Sequence, residues 1–157
     1  MATLTSKITL SGTAADFGQA LALNLSKDLT IEKPWTGVSK INVINSDDAD
    51  GAAAPNILLE NKNARRFVYI KHNGIDSAGA TVTTDLIVKN FEGDVAADGT
   101  QIMVLKTGEW AFFPYDNGTA DPTNADGAVS DDDDNALILD TSSGTINCDF
   151  AIFTVAS

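Results

Sequence analysis

The feature that most constrains this chain is an alternation of apolar and polar residues at period two, broken at short intervals by Gly, Asn and Asp. Leu21, Leu23 and Leu25 fall on one side, and Ala22, Asn24 and Ser26 on the other. Successive side chains of a strand point to opposite faces, so this is the pattern of a half-buried strand. Leu29 and Ile31 keep the parity until Pro34 stops it. Further strand-like runs cover 8–10, 38–44, 57–60, 67–71, 102–106, 109–113, 137–139 and 146–155, with Val82, Thr84, Leu86 and Val88 forming one face of another. Asp50-Gly51, Asn73-Gly74, Gly79, Gly93, Asp98-Gly99, Gly108, Asn117-Gly118, Asp126-Gly127 and Gly144 punctuate them. No helix is expected, because the Ala-rich stretch 14–22 contains Gly18 and passes into alternation.

Short strands separated by turn signals predict an all-β fold: an antiparallel β-sandwich, jelly-roll-like, with eight or nine strands. No linker or internal repeat divides the 157 residues, so one domain over 1–157 is expected. A domain of this length buries roughly 70% of its unfolded surface, enough for a core without staples. The expected core is Leu23, Phe67, Tyr69, Leu86, Val104, Phe112, Phe150 and Ile152. Residues 1–10 read as an anchoring arm or edge strand, and 116–135 as a long acidic loop.

The net charge is −12. Nucleic acid and anionic membranes repel such a chain, so neither is an expected partner. Proteins, neutral glycans and divalent cations remain. The single cysteine, Cys148, allows no intrachain disulfide and no thiolate zinc site. It lies on the apolar face Ile146, Cys148, Phe150, Ile152 and reads as a small buried hydrophobe. The N-terminus lacks an apolar run of signal-peptide length, and no segment reaches the ~20 apolar residues that span a bilayer. Assembly in a reducing cytoplasm is expected.

The candidate chemistry is sparse. Acidic clusters suit a hard cation, and Asp126, Asp131, Asp132 and Asp133 are the calcium candidates. The spacing fails the helix-loop calcium pattern: with Gly127 at its sixth position, Pro122 occupies the first. A solvated acidic loop is the better expectation, with no cofactor at all. Asp140-Thr141-Ser142-Ser143-Gly144 resembles the Asp-Thr/Ser-Gly loop of aspartic proteases but carries an extra Ser. It reads instead as a hairpin loop that satisfies its own backbone. One histidine, His72, cannot build a three-histidine metal site, and no phosphate-binding glycine loop is present. No enzyme is expected. Trp35, Trp110, Tyr69 and Tyr115 read as core first and as a glycan platform second.

One resemblance adds to this reading. Residues 66–70 form an F-V-Y-I strand entered from Arg66, 108–114 read G-E-W-A-F-F-P, and a closing apolar pair follows at 137–139 and 146–153. This order resembles small all-β virion proteins of tailed bacteriophages, of the capsid decoration type. The resemblance implies a small, acidic, non-enzymatic structural protein, often trimeric, on the capsid surface. Its partners would be a major capsid or other virion protein and further copies of itself. The partner-binding candidates are Leu4, Lys7 and Ile8 in the N-terminal segment, with Arg65 and Arg66, the only basic doublet. The alternative is a carbohydrate-binding or receptor-binding sandwich module of a phage tail or fibre.

Overall fold

The computed structural model describes residues 2–12, 21–31, 37–45, 56–59, 65–91, 100–115 and 136–155. Among them are ten strands and no helix. In chain order these are β1 (Ala2–Gly12), β2 (Leu21–Ile31), β3 (Ser39–Ile44), β4 (Asn56–Leu59) and β5 (Arg66–His72). β6 (Leu86–Phe91), β7 (Thr100–Leu105), β8 (Trp110–Tyr115), β9 (Ala136–Thr141) and β10 (Thr145–Thr154) follow. Every ladder is antiparallel.

Eight strands form two four-stranded sheets, ordered β3-β10-β5-β8 and β4-β9-β6-β7. β1 and β2 form a separate hairpin ribbon. The chain is therefore all-β and sandwich-like. The sheets meet across one apolar core. Val43, Val68, Ile70, Ile146 and Cys148 come from the first sheet, and Leu86, Val88, Leu105, Leu137 and Leu139 from the second. Every step from β3 to β10 changes sheet except β6 to β7. The turns at Gly108 and Gly144 are thus corners between sheets. The Asp140–Gly144 segment is not the hairpin loop expected of it, because β9 and β10 lie in different sheets.

A second cluster lies on the outer face of the first sheet. Leu29 and Ile31 of β2 are buried against Ala151 and Phe153 of β10, with Leu4, Phe67, Tyr69 and Phe112 packed around them. Phe67 stacks on Phe112 with centroids 5.4 Å apart, and Phe112 meets Phe153 edge-on at 6.1 Å. The hairpin thus covers part of the back of this sheet. That explains why β5 is apolar on both faces: Val68 and Ile70 point into the sandwich, Phe67 and Tyr69 under the hairpin.

The expected core is corrected accordingly. Leu86 is fully buried, but Leu23 is exposed. Phe67, Tyr69 and Phe112 are half-buried under the hairpin, Ile152 is half-buried against the main core, and Val104 and Phe150 are also half-buried. The expected strand face Val82–Val88 is shorter: β6 starts at Leu86. The preceding backbone is held by the turns. Val82 N–H donates to Gly74 O at 3.0 Å, and Val82 O accepts from Thr107 Oγ1 at 2.9 Å. Thr84 O accepts from His72 Nε2 at 2.8 Å.

Candidate functional site

The hairpin is amphipathic by register. Residues directly opposite in an antiparallel pair share a face. Ala2–Ile31, Leu4–Leu29, Ser6–Lys27, Ile8–Leu25 and Leu10–Leu23 are therefore rungs of one face, almost all apolar. Thr5–Asp28 and Thr9–Asn24 lie on the other. There the rungs pair polar groups: Thr5 Oγ1 donates to Asp28 Oδ1 at 2.7 Å, and Thr9 Oγ1 to Asn24 Oδ1 at 3.0 Å.

The apolar ladder is covered at one end only. Leu29 and Ile31 are buried, whereas Ile8 is 44%, Leu10 49%, Leu23 37% and Leu25 54% exposed. Exposed apolar side chains are unremarkable singly; here four stand contiguous on one face of a ribbon.

Where the ribbon leaves the sheet, a groove of about 390 Å³ opens between β1 and the sheet's outer face. Leu4 and Ile8 form one wall; Val38, Tyr69, Trp110 and Phe112 form the other. Trp110 is 60% exposed and lies 6.4 Å, centroid to centroid, from Tyr69. The Tyr69 hydroxyl is held above its ordinary value by burial first and then by Asp149. Polar side chains adjoin the groove on the same face. Asn73 Nδ2 donates to Asn147 Oδ1 at 3.0 Å and to Asp149 Oδ1 at 2.8 Å, and Asn147 Nδ2 donates to Asn42 Oδ1 at 2.9 Å. A row of three amides and the Asp149 carboxylate thus hydrogen-bonds together there.

The residues singled out by sequence fall in different places. Leu4 packs on the chain's own aromatic cluster. Lys7 is exposed on the polar face, and Ile8 lies on the uncovered ladder. Arg65 is exposed with its guanidinium 6.0 Å from the Phe67 centroid, whereas Arg66 is buried, opposite Thr154 and Tyr115. Arg65 adjoins the base of the hairpin: its carbonyl accepts from Val155 N–H at 3.0 Å, and Val155 bridges Ile31. Leu10, Leu23 and Leu25 were not expected from sequence to form an exposed apolar face with Ile8. The parity of β2 signalled them, but parity does not say whether a face has a cover. The calcium candidates Asp126, Asp131, Asp132 and Asp133 lie outside the described residues, as does Trp35. Among the described residues no group of three His, Cys, Asp or Glu could hold a metal.

Four further titratable groups among the described residues are held within the fold. Asp140 pairs with Lys89 at 2.6 Å, both largely buried, and its Oδ1 accepts from Thr141 N–H at 2.8 Å. His72 is fully buried. Its Nδ1 accepts from Gly74 N–H at 2.9 Å, so Nε2 carries the proton donated to Thr84 O. Cys148 is fully buried, and its thiol is pushed up to about 12 by burial first and then by Asp149. A thiol so held is protonated at neutral pH.

No family model, characterised protein or solved structure matches this chain. Among the described residues, no helix is long and apolar enough to cross a membrane.

Proposed function

We propose that this chain is a non-enzymatic structural component of a phage virion, of the capsid decoration type, on the outer shell. The observation that carries the contact role is the uncovered apolar ladder Ile8, Leu10, Leu23 and Leu25 on a ribbon anchored to an acidic body. Such a surface is suited to another protein: it offers hydrophobic area and few groups to recognise a polar ligand. The sheet orders 3-10-5-8 and 4-9-6-7 support a jelly-roll reading, the double-sheet architecture of viral capsid and lectin domains. The charge of −12 suits a body that stays soluble while many copies crowd on one particle. Virion proteins and further copies of this chain are the proposed partners, assembled in the host cytoplasm. Calcium is a proposal confined to the acidic loop.

A second reading, a glycan- or receptor-binding module, is favoured by one observation. Trp110 is exposed beside Tyr69 on the groove wall. Against it, a sugar needs polar partners as well as an aromatic platform, and this groove is overwhelmingly apolar.

Sedimentation of the purified chain with phage heads that lack it tests the first reading. Wild type should pellet with the heads, and Leu25→Asp should stay in the supernatant. Glycan-array binding lost on Trp110→Ala, without head binding, would replace the first reading by the second.

A further inference from the structure

The outer face of the first sheet carries two polar rows beside the aromatic groove. Cross-strand partners set the first. Trp110 of β8 stands opposite Lys71 of β5, Lys71 opposite Asp149 of β10, and Asp149 opposite Lys40 of β3. Partners directly opposite share a face, so one line crosses all four strands, about 14 Å at the usual strand spacing. In the second row Asn42 stands opposite Asn147, and Asn73 donates to both Asn147 and Asp149. The rows are open: Trp110, Lys40 and Asn42 are exposed, and Lys71, Asn73, Asn147 and Asp149 half-buried.

Two features set this face apart from an ordinary solvated sheet. Trp is highly buried on average, yet Trp110 is 60% exposed. Most side-chain hydrogen bonds go to backbone or water, yet three amides and a carboxylate here fix one another across three strands. Groups held in place in this way lose little freedom when a ligand arrives.

We propose that this face binds a neutral oligosaccharide, one ring lying on the Trp110 indole and further hydroxyls bonding along the amides and Asp149. The site supplies the polar partners that the groove lacks, and it is separate from the hairpin ladder and the shell contact proposed for it. The row has hydrogen-bonding capacity to spare. Among the described residues, Asn42 uses only the Oδ1 of its amide and Asn73 only the Nδ2, which leaves a donor at one end and an acceptor at the other. A hydroxyl both donates and accepts, so adjacent hydroxyls on a sugar ring suit such a row. Charge argues against other ligands. Asp149 stands between Lys71 and Lys40, so a bare anion meets a carboxylate and a bare cation meets ammonium groups. A neutral polyhydroxyl ligand meets neither penalty and bonds to both kinds of group. The indole face, the negative side of the ring quadrupole, attracts the weakly positive C–H groups of a sugar.

An array of immobilised neutral and acidic oligosaccharides tests the proposal. The full chain is displayed in many copies on a bead, so that weak single contacts register through avidity. Far-UV circular dichroism controls for folding. Wild type should retain neutral oligosaccharides, and a retained sugar should titrate by calorimetry. Trp110→Ala and Asn42→Ala, both at exposed positions, should keep the wild-type spectrum and weaken that binding about tenfold or more. Leu25→Asp should bind the sugar as wild type does, and Trp110→Ala should still sediment with phage heads, so the sugar site and the shell contact fail separately. No neutral oligosaccharide retained, retention of acidic ones alone, or binding that survives both alanine substitutions overturns the proposal. If wild type retains no sugar and Trp110→Ala no longer sediments with heads, this face belongs to the shell contact instead.

Discussion

Ile8 and Leu25 stand directly opposite each other across the hairpin, and neither is covered. Leu4 and Leu29, two rungs away on the same face, pack on the aromatic back of the first sheet. One ladder thus has a buried end and an exposed end.

The two ends should respond differently to mutation. Leu29→Ala removes buried methyl groups and should cost about 2–5 kcal/mol. Ile8→Thr keeps a β-branched residue at an exposed site and should change stability by no more than about 0.5 kcal/mol. Urea melts measure both. A large loss for Ile8→Thr would mean that the outer ladder belongs to the fold.

Gly74 is constrained twice. Its φ is +74°, and an added Cβ would lie 2.7 Å from Thr107 Cγ2. Gly74→Ala should therefore cost more than the ~1–2 kcal/mol of left-handed strain alone. Thr107→Ser removes the clashing methyl but keeps the hydroxyl that donates to Val82 O. The double variant should recover the steric part of the loss and retain the conformational part. A double-mutant cycle with no coupling would contradict the close approach.

His72 ties the β5 end to two loops through both ring nitrogens. His72→Phe keeps the ring volume but leaves Gly74 N–H and Thr84 C=O without these partners. Each buried orphan costs about 1–3 kcal/mol, so thermal melts should show a substantial loss. A neutral outcome would mean that water replaces the imidazole there.

Alkaline pH should weaken the fold through Cys148. Its thiol is raised from 9.0 to about 12 in the folded chain. Between these values the folded state keeps a proton that the unfolded state has released. This contribution is therefore fully present below pH 9.0 and is lost as pH rises toward about 12. The slope is at most about 1.4 kcal/mol per pH unit from this one group. Tyr69, also raised, acts in the same direction above 10.0. Urea melts compared at mildly and strongly alkaline pH should show a shallower decline for Cys148→Ala than for wild type. Equal declines would show that the thiol titrates normally.

The all-β character was legible because period two leaves no helical alternative over 21–31, and because Gly, Asn and Asp mark so many breaks. Cys148 was legible as a buried small side chain for the same reason. The choice of face was not. In β5 both Phe67, Tyr69 and Val68, Ile70 are apolar, and only the position of the hairpin decides which pair enters the sandwich. Leu23 failed as a core residue because alternation reports amphipathicity, not whether a partner covers the apolar side. Connectivity was also hidden. Gly144 marks a tight turn whether the next strand pairs with the last or crosses to the other sheet, and β9–β10 crosses. Ile8 was singled out from sequence as a partner candidate, but that Leu25 stands opposite it requires the hairpin register.

A cryo-EM map of phage particles carrying this chain tests the central claim most directly. The account predicts density for the sandwich outside the shell, with Ile8, Leu10, Leu23 and Leu25 covered by protein. Particles without the chain, or a bound chain whose ladder faces open solvent, would contradict it.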